Sequence, residues 1–270
     1  MAGLFDKQSD LYAAARPNYP DSLFALLASL SRDHHLAWDV GTGNGQAAVE
    51  VAKYYQKVVA TDVSEEQLAL APRQPNIEYA VTSKTIEREE LDRLLGPEAI
   101  VDLITVAQAL HWFDLDIFYS HVRRVLRKPG GIVAAWCYQL PSVSPAIDSL
   151  IEEYYAASGP YWAHGRRWVE QEYRTIRFPF APVLHDSTGP FIHETKLQKR
   201  FDEFLMYFKS WSAFQTALDK GINLLNEEVM KAFADAWGNV EELRTVTWPV
   251  YVLIGAVPSD VALTEATASG

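Results

Sequence analysis

Residues Trp38 to Gln46 read Trp-Asp-Val-Gly-Thr-Gly-Asn-Gly-Gln, an apolar strand end that runs into three glycines at alternate positions. Gly41, Gly43 and Gly45 carry no Cβ, so the backbone can turn sharply from strand to helix and lie directly against a ligand where a side chain would collide. An acid, Asp62, closes the next strand-like run, where a carboxylate can chelate two ribose hydroxyls. The pairing points to a bound nucleoside.

The segments around that turn alternate. Strand-like apolar runs at 36–40, 57–61, 76–81, 100–107 and 132–136 are separated by helical patterns at 47–55, from Ser64 onward, at 87–95 and at 114–126. Ser64 with Gln67 has the form of a capping box, Asp114 that of an N-cap, and Pro129-Gly130-Gly131 that of a stop. Strict alternation predicts right-handed crossovers and a doubly wound α/β sheet that binds ligands at the carboxyl ends of its strands. An amphipathic helix over 21–30 precedes this core. A last strand over 245–256 follows it, with Val246, Trp248, Val250, Val252 and Ile254 on one face.

Between Ile151 and Trp211, 14 of 61 residues are aromatic against 12% for the whole chain, so this stretch is a candidate pocket lining. Leu197, Phe201, Phe204, Leu205 and Phe208 follow helical spacing within it and read as core packing. The expected organisation is a cap segment and helix over 1–35, a cofactor-binding core over 36–140 and a helical, aromatic acceptor-binding insertion over 141–242. A final strand over 243–258 and a flexible tail over 259–270 complete it.

Composition narrows the partner. A formal charge of −11 with no concentrated Lys and Arg argues against nucleic acid and for a small molecule. The single Cys137 cannot build a disulfide framework, no secretory leader is evident, and no run approaches the ~18 apolar residues of a membrane span. A cytoplasmic protein with no membrane partner is expected; oligomeric state is not legible. The histidines lack metal-ligand spacing, so no metal site is expected.

Dinucleotide folds favour Gly-x-Gly-x-x-Gly, whereas this turn is Gly-x-Gly-x-Gly, which suits a ligand without pyrophosphate. Two further segments sharpen the reading: Tyr12-x-x-x-Arg16-Pro17-x-Tyr19-Pro20, and Ala107-Gln108-Ala109-Leu110-His111-Trp112-Phe113-Asp114 after the fourth strand. With them the chain, from about Tyr12 to Val257, resembles the class I S-adenosylmethionine-dependent methyltransferases, and within these the type-11 branch that includes trans-aconitate methyltransferase-like proteins. The resemblance implies a seven-stranded, mostly parallel Rossmann-like sheet with S-adenosyl-L-methionine as cofactor and S-adenosyl-L-homocysteine as product. It implies that Asp39, Gly41 and Gly43 meet the methionine part, Asp62 the ribose, and Gln108 or Ala109 the edge of the site beside the sulfonium, with Tyr12 and Arg16 closing over it. Many relatives place an acid just after the third strand to take the adenine amino group. Here that place is held by Ala80-Val81-Thr82-Ser83-Lys84, so a hydroxyl from Thr82 or Ser83, or a backbone carbonyl, is expected to substitute.

For the acceptor, the resemblance implies a small organic acid methylated on a carboxylate oxygen by in-line displacement. A carboxylate is already ionised near neutral pH and needs only a cation to orient it, for which Arg166, Arg167, Arg174 and Arg177 are candidates. A phenol or amine acceptor must lose a proton, and His111 is the candidate base or positioning group. Tyr19, Trp112, Phe113, Trp162 and Trp211 are the candidate acceptor-site aromatics. A nicotinamide-dependent oxidoreductase and a non-catalytic cofactor-binding module share parts of the pattern and stay open at the level of sequence.

Overall fold

The molecule, a computed structural model, is described for residues 16–96, 98–163 and 165–258. Tyr12 lies outside them. Five parallel strands form the core: β1 (Leu36–Val40), β2 (Lys57–Asp62), β3 (Ile77–Val81), β4 (Leu103–Ala107) and β5 (Ile132–Tyr138). Two more, β6 (Phe191–Lys199) and β7 (Arg244–Gly255), complete a seven-stranded sheet in the order β3-β2-β1-β4-β5-β7-β6, with β7 antiparallel to both neighbours. From β1 the chain first winds outward through β2 and β3, then returns to β4 on the other side. The carboxyl ends of β1 and β4 therefore diverge and leave a crevice.

Local sequence accounts for the crossover helices. After α1 (Asp21–Leu30) and α2 (Gln46–Val51), Ser64 caps α3 (Glu65–Ala69) by accepting from the Gln67 amide at 3.2 Å. Following α4 (Arg88–Leu95), Asp114 caps α5 (Leu115–Val125), its Oδ1 accepting from the Ile117 amide at 3.3 Å. The expected long helix over 47–55 is shorter: the chain leaves α2 after Val51 through tight turns that bring Tyr55 back into the core.

The stretch between β5 and β7 is less uniformly helical than its sequence suggested. It contains α6 (Pro145–Ser158), α7 (Arg166–Glu170), β6, α8 (Phe201–Lys209), α9 (Ser212–Asp219) and α10 (Glu227–Trp237). Leu197 belongs to β6, so the helical stripe read from Leu197 to Phe208 begins at Phe201 instead. The insertion shares its core with the sheet: Tyr154, Phe204, Phe208, Trp211 and Phe233 join Trp136, Trp248 and α1 in one apolar cluster on one face. Val169, Tyr173, Ile176 and Phe180 join α5 on the other. Arg16 ties the N-terminal segment to this assembly, donating to the Tyr138 hydroxyl at 2.8 Å and the Ser210 carbonyl at 3.0 Å, while the Thr195 hydroxyl donates to the Asn18 carbonyl at 2.8 Å.

Trp211 is fully buried, with ring centroids of Phe208, Trp162 and Tyr154 at 5.0, 5.3 and 5.5 Å. A side chain so enclosed acts through packing. Trp211→Ala should destabilise the fold by ~3–5 kcal/mol, the range for truncating a buried large aromatic, measured by urea denaturation. A stable variant with impaired turnover would instead make Trp211 an acceptor contact.

Candidate active site

A cavity of about 410 Å³ occupies the crevice at the carboxyl ends of β1 to β4. Its floor is the glycine turn. Gly41, Gly43 and Gly45 all have positive φ (66°, 56° and 80°), which L side chains rarely adopt. At Gly41 a Cβ would lie 2.7 Å from the Ala109 Cβ and 3.3 Å from Phe113, so the turn after β1 packs directly on the turn after β4. At Gly43 a Cβ would meet nothing nearer than Gln67 Oε1 at 3.8 Å. The turn is open where a ligand would approach and closed where the protein needs contact.

Two carboxylates hold this backbone. Asp62 lines the cavity, its Oδ2 accepting from the Gly43 amide at 2.7 Å and its Oδ1 from the Ser64 amide at 2.9 Å. Asp39 does not line the cavity: it is fully buried beneath the turn, accepting from the Thr42 hydroxyl at 2.5 Å and the Thr105 hydroxyl at 2.6 Å. Its expected contact with a ligand is thereby corrected to support of the turn. Burial pushes its carboxyl up to about 6, opposed by the Thr105 and Thr42 bonds and reinforced by the nearby Asp62 charge.

The wall after β4 is built from Gln108 to Phe113. Gln108 has φ +57°, a strained value for a side-chain-bearing residue, and its buried Nε2 has no hydrogen-bond partner among the described residues. Ala109, Trp112 and Phe113 line the cavity with it, and Tyr19 enters from the N-terminal segment, edge-on to Trp136 at 5.3 Å. Thr82 and Ser83 line the end beyond β3. The Ser83 hydroxyl lies 2.6 Å from the Thr85 carbonyl and 2.7 Å from Glu90.

Other sequence candidates lie elsewhere. His111 is buried behind Trp112, its Nδ1 2.8 Å from the Tyr173 hydroxyl, and burial with the neighbouring Arg166 charge holds the imidazole down to about 3. It does not line the cavity, which removes the geometric basis for a general base there. Arg16 is engaged with Tyr138 and Ser210 rather than at the cavity wall. No described residue of 141–242 lines the cavity, so Trp162 and Trp211 do not contribute to it. The four arginines are committed to other contacts. Arg166 stacks on Trp162 and Arg167 on Trp168, at 4.5 and 4.8 Å, while Arg174 and Arg177 pair with Glu172 and Asp116.

Sequence reasoning passed over the inner face of α5. Asp114, Ile117, Phe118 and His121 all line the cavity, at the i, i+3, i+4, i+7 spacing of one helical face. That spacing was present in the sequence as a histidine extending an apolar stripe.

The doubly wound sheet and its glycine-floored crevice are the features of a fold that binds a nucleoside at the carboxyl ends of its strands. A family model described as "Methyltransferase domain" matches residues 38–135. A Dictyostelium discoideum protein whose name places it among methyltransferases is 32% identical over 93% of this chain and 93% of its own length. Methyltransferase pgmE of Aspergillus terreus is 30% identical over 50% of this chain and 43% of its own. A solved structure from Anaeromyxobacter dehalogenans, described among type II methyltransferases, superposes with a TM-score of 0.78 at 36% identity, covering 90% of this chain and 99% of that one. The chain belongs to the class I S-adenosylmethionine-dependent methyltransferase family. Its cofactor is S-adenosylmethionine.

The Asp39 carboxyl has a testable signature. Its folded-state pKa lies above the unfolded value of 3.8, so the folded protein holds that proton more tightly. The stability associated with this site is fully present below about pH 4 and lost as pH rises through about 6. Asp39→Asn, which cannot ionise, should therefore gain in melting temperature relative to the parent as pH goes from 4 to 7.5. A difference that stays flat across that range would contradict a buried, proton-retaining carboxyl.

Proposed function

We propose that the protein transfers the methyl group of S-adenosylmethionine to a carboxylate oxygen of a small organic acid, as its resemblance to the trans-aconitate methyltransferase-like branch implies. The observation that carries this reading is the make-up of the cavity around the Gly41 turn and Gln108. Tyr19, Ala109, Trp112 and Phe113 are its walls there, and His111 is turned away into the core. With no described side chain there placed to take a proton, an acceptor that arrives already ionised is favoured over a phenol or an ammonium group.

The residues fit the cofactor. Gly43 leaves room where a backbone-hugging ligand needs it, and Asp62 offers a carboxylate at the cavity wall for the two ribose hydroxyls. The strained Gln108 has a buried Nε2 with no partner among the described residues. Bound S-adenosylmethionine supplies an electrophilic methyl on a sulfonium, so the protein's work is alignment and exclusion of water. Positioning alone is worth up to ~7–11 kcal/mol in favourable cases. Tyr19 and Trp112 add aromatic faces able to attract a sulfonium by ~0.5–2 kcal/mol. Behind Tyr19, the Arg16 guanidinium lies 5.9 Å from the centre of the Tyr138 ring and 5.5 Å from that of Tyr207, a positive charge able to bias that end towards an anion.

Three measurements check this reading. Asp62→Ala should weaken S-adenosylhomocysteine by ~1.5–3 kcal/mol in calorimetry, the range for lost charged hydrogen bonds; unchanged affinity would remove Asp62 from the ribose. Gly43→Val should abolish binding, because its side chain would enter the ligand's space and would strain a turn that needs a positive φ at this position. Methyl-labelled cofactor incubated with pooled acids, phenols and amines should place label in products that release methanol on alkaline treatment. Label confined to amines would overturn ester formation.

A further inference from the structure

The turn that carries Trp112 is gripped from both sides. Leu110–Trp112 forms a single 3-10 turn after β4, and its neighbours Ala109 and Phe113 press against Gly41 on the cofactor side. On the other side stands Gly165, the residue before α7. It has φ −63° and ψ −17°, a helical conformation open to any residue, so backbone freedom does not explain a glycine there. The reason is space: a Cβ at this position would lie 2.8 Å from the His111 carbonyl oxygen and 3.4 Å from the Trp112 ring. At the first of those distances the backbone itself has to shift.

The insertion meets the turn a second time. Glu172 and Tyr173 both take left-handed φ values, 58° and 59°, strained for residues with side chains, and Tyr173 is buried with its hydroxyl 2.8 Å from His111 Nδ1. Between the two contacts α7 is itself anchored. Arg166 Nε donates to the Tyr155 hydroxyl of α6 at 3.0 Å, that hydroxyl donates to Glu170 at 2.6 Å, and the Gln139 amide just after β5 donates to the Val169 carbonyl. A helix held in this way does not absorb a push at Gly165, and Gly41 blocks retreat of the turn towards β1. The space left to the Trp112 ring is the cavity that it lines.

We propose that Gly165 and Tyr173 are positioning residues that set the Trp112 wall from outside the cavity and so fix the length of acceptor the site admits, a role that rests on the acceptor placement given under Proposed function. Neither residue lines the cavity. The insertion therefore governs acceptor choice through a wall it does not contribute, and it leaves Gly43 and Asp62, on the cofactor side, untouched. One methylene of misfit in such a pocket is worth about 10–200-fold in kcat/KM.

Methyl-labelled S-adenosylmethionine with straight-chain dicarboxylic acids from succinate to suberate reads the length preference of the full chain as kcat/KM, and calorimetry with S-adenosylhomocysteine reads the cofactor site. Gly165→Ala should lower kcat/KM at least about tenfold for the longest acid the parent methylates and less than about threefold for the shortest, with S-adenosylhomocysteine affinity within about threefold of the parent's. In a Trp112→Ala background the same substitution should leave the preference unchanged, a non-additivity that general loss of stability would not produce. Tyr173→Phe releases the turn, should relax the preference by about threefold or more, and carries the test if Gly165→Ala does not fold. A length profile equal to the parent's in a folded variant, a loss shared equally by short and long acids, or an effect that persists without Trp112 would overturn the positioning role. Label that enters graded phenols or amines instead would refute the carboxylate reading alone, because the same size profile is then read on those compounds. A parent that methylates none of the three series would overturn both.

Discussion

Everything at this site depends on a glycine-rich backbone turn that is held in place by two carboxylates. The peptide from Gly41 to Gly45 runs through left-handed conformations and would be floppy in isolation, since glycine loses more chain entropy on ordering than any other residue. Two acids from neighbouring strands fix it. Asp62 grips the Gly43 amide from the cavity side, and Asp39 holds the Thr42 hydroxyl from below while a second threonine, Thr105 of β4, completes its coordination. The turn is thus anchored to β1, β2 and β4 together, the three strands that meet at the switch point. A negative charge retained in the core is costly, and its counterpart is a rigid cradle on which a ligand lies without ordering the protein first.

The second organising fact is how the aromatic side chains are spent. Most of those in the insertion pack on one another: Phe208 and Phe233 stack at 5.5 Å, Tyr207 lies edge-on to Trp248 at 5.5 Å, and Trp162 and Trp211 cross at 5.3 Å. This arrangement binds α6, α8 and α10 to the sheet and leaves cavity walls to residues of the parallel core and to Tyr19. A link runs between the two regions through a buried pair, His111 and Tyr173, by which the segment after α7 supports the turn carrying Trp112. No helix among the described residues is long and apolar enough to cross a membrane.

The parallel core was readable because each signal there is local. Apolar runs bounded by Ser64, Asp114 and the Pro129-Gly130 stop give strand and helix limits within a few residues, and alternate glycines before Gln46 mark the turn. The insertion was harder because composition does not encode direction. A run of aromatics looks the same whether it faces a ligand or its own neighbours, and only tertiary packing assigns Trp211 to the interior. Strand β6 was missed for a related reason. Its sequence, Phe-Ile-His-Glu-Thr-Lys-Leu-Gln-Lys, alternates as an edge strand should, but sits beside a helical stripe that absorbs Leu197 into the wrong period. Asp39 and His111 were misread in the same way: both are polar residues at the right sequence position whose side chains point beneath the site rather than into it.

The position of β7 has a kinetic meaning. This strand lies between β5 and β6, although it follows both in the chain, and it pairs Val133 with Gly255 and Phe191 with Val252 across very long loops. Until it arrives, β5 and β6 each present an open row of backbone donors and acceptors, the kind of edge on which chains associate with one another. During synthesis on the ribosome the parallel half can assemble early, but β5 and β6 are joined only when residues 244–255 have emerged, so the apolar face shared by α6, α8 and α10 remains incomplete until then. Contacts so distant in sequence close slowly. A chain of this topology is therefore most exposed to misassociation before β7 pairs with β5 and β6.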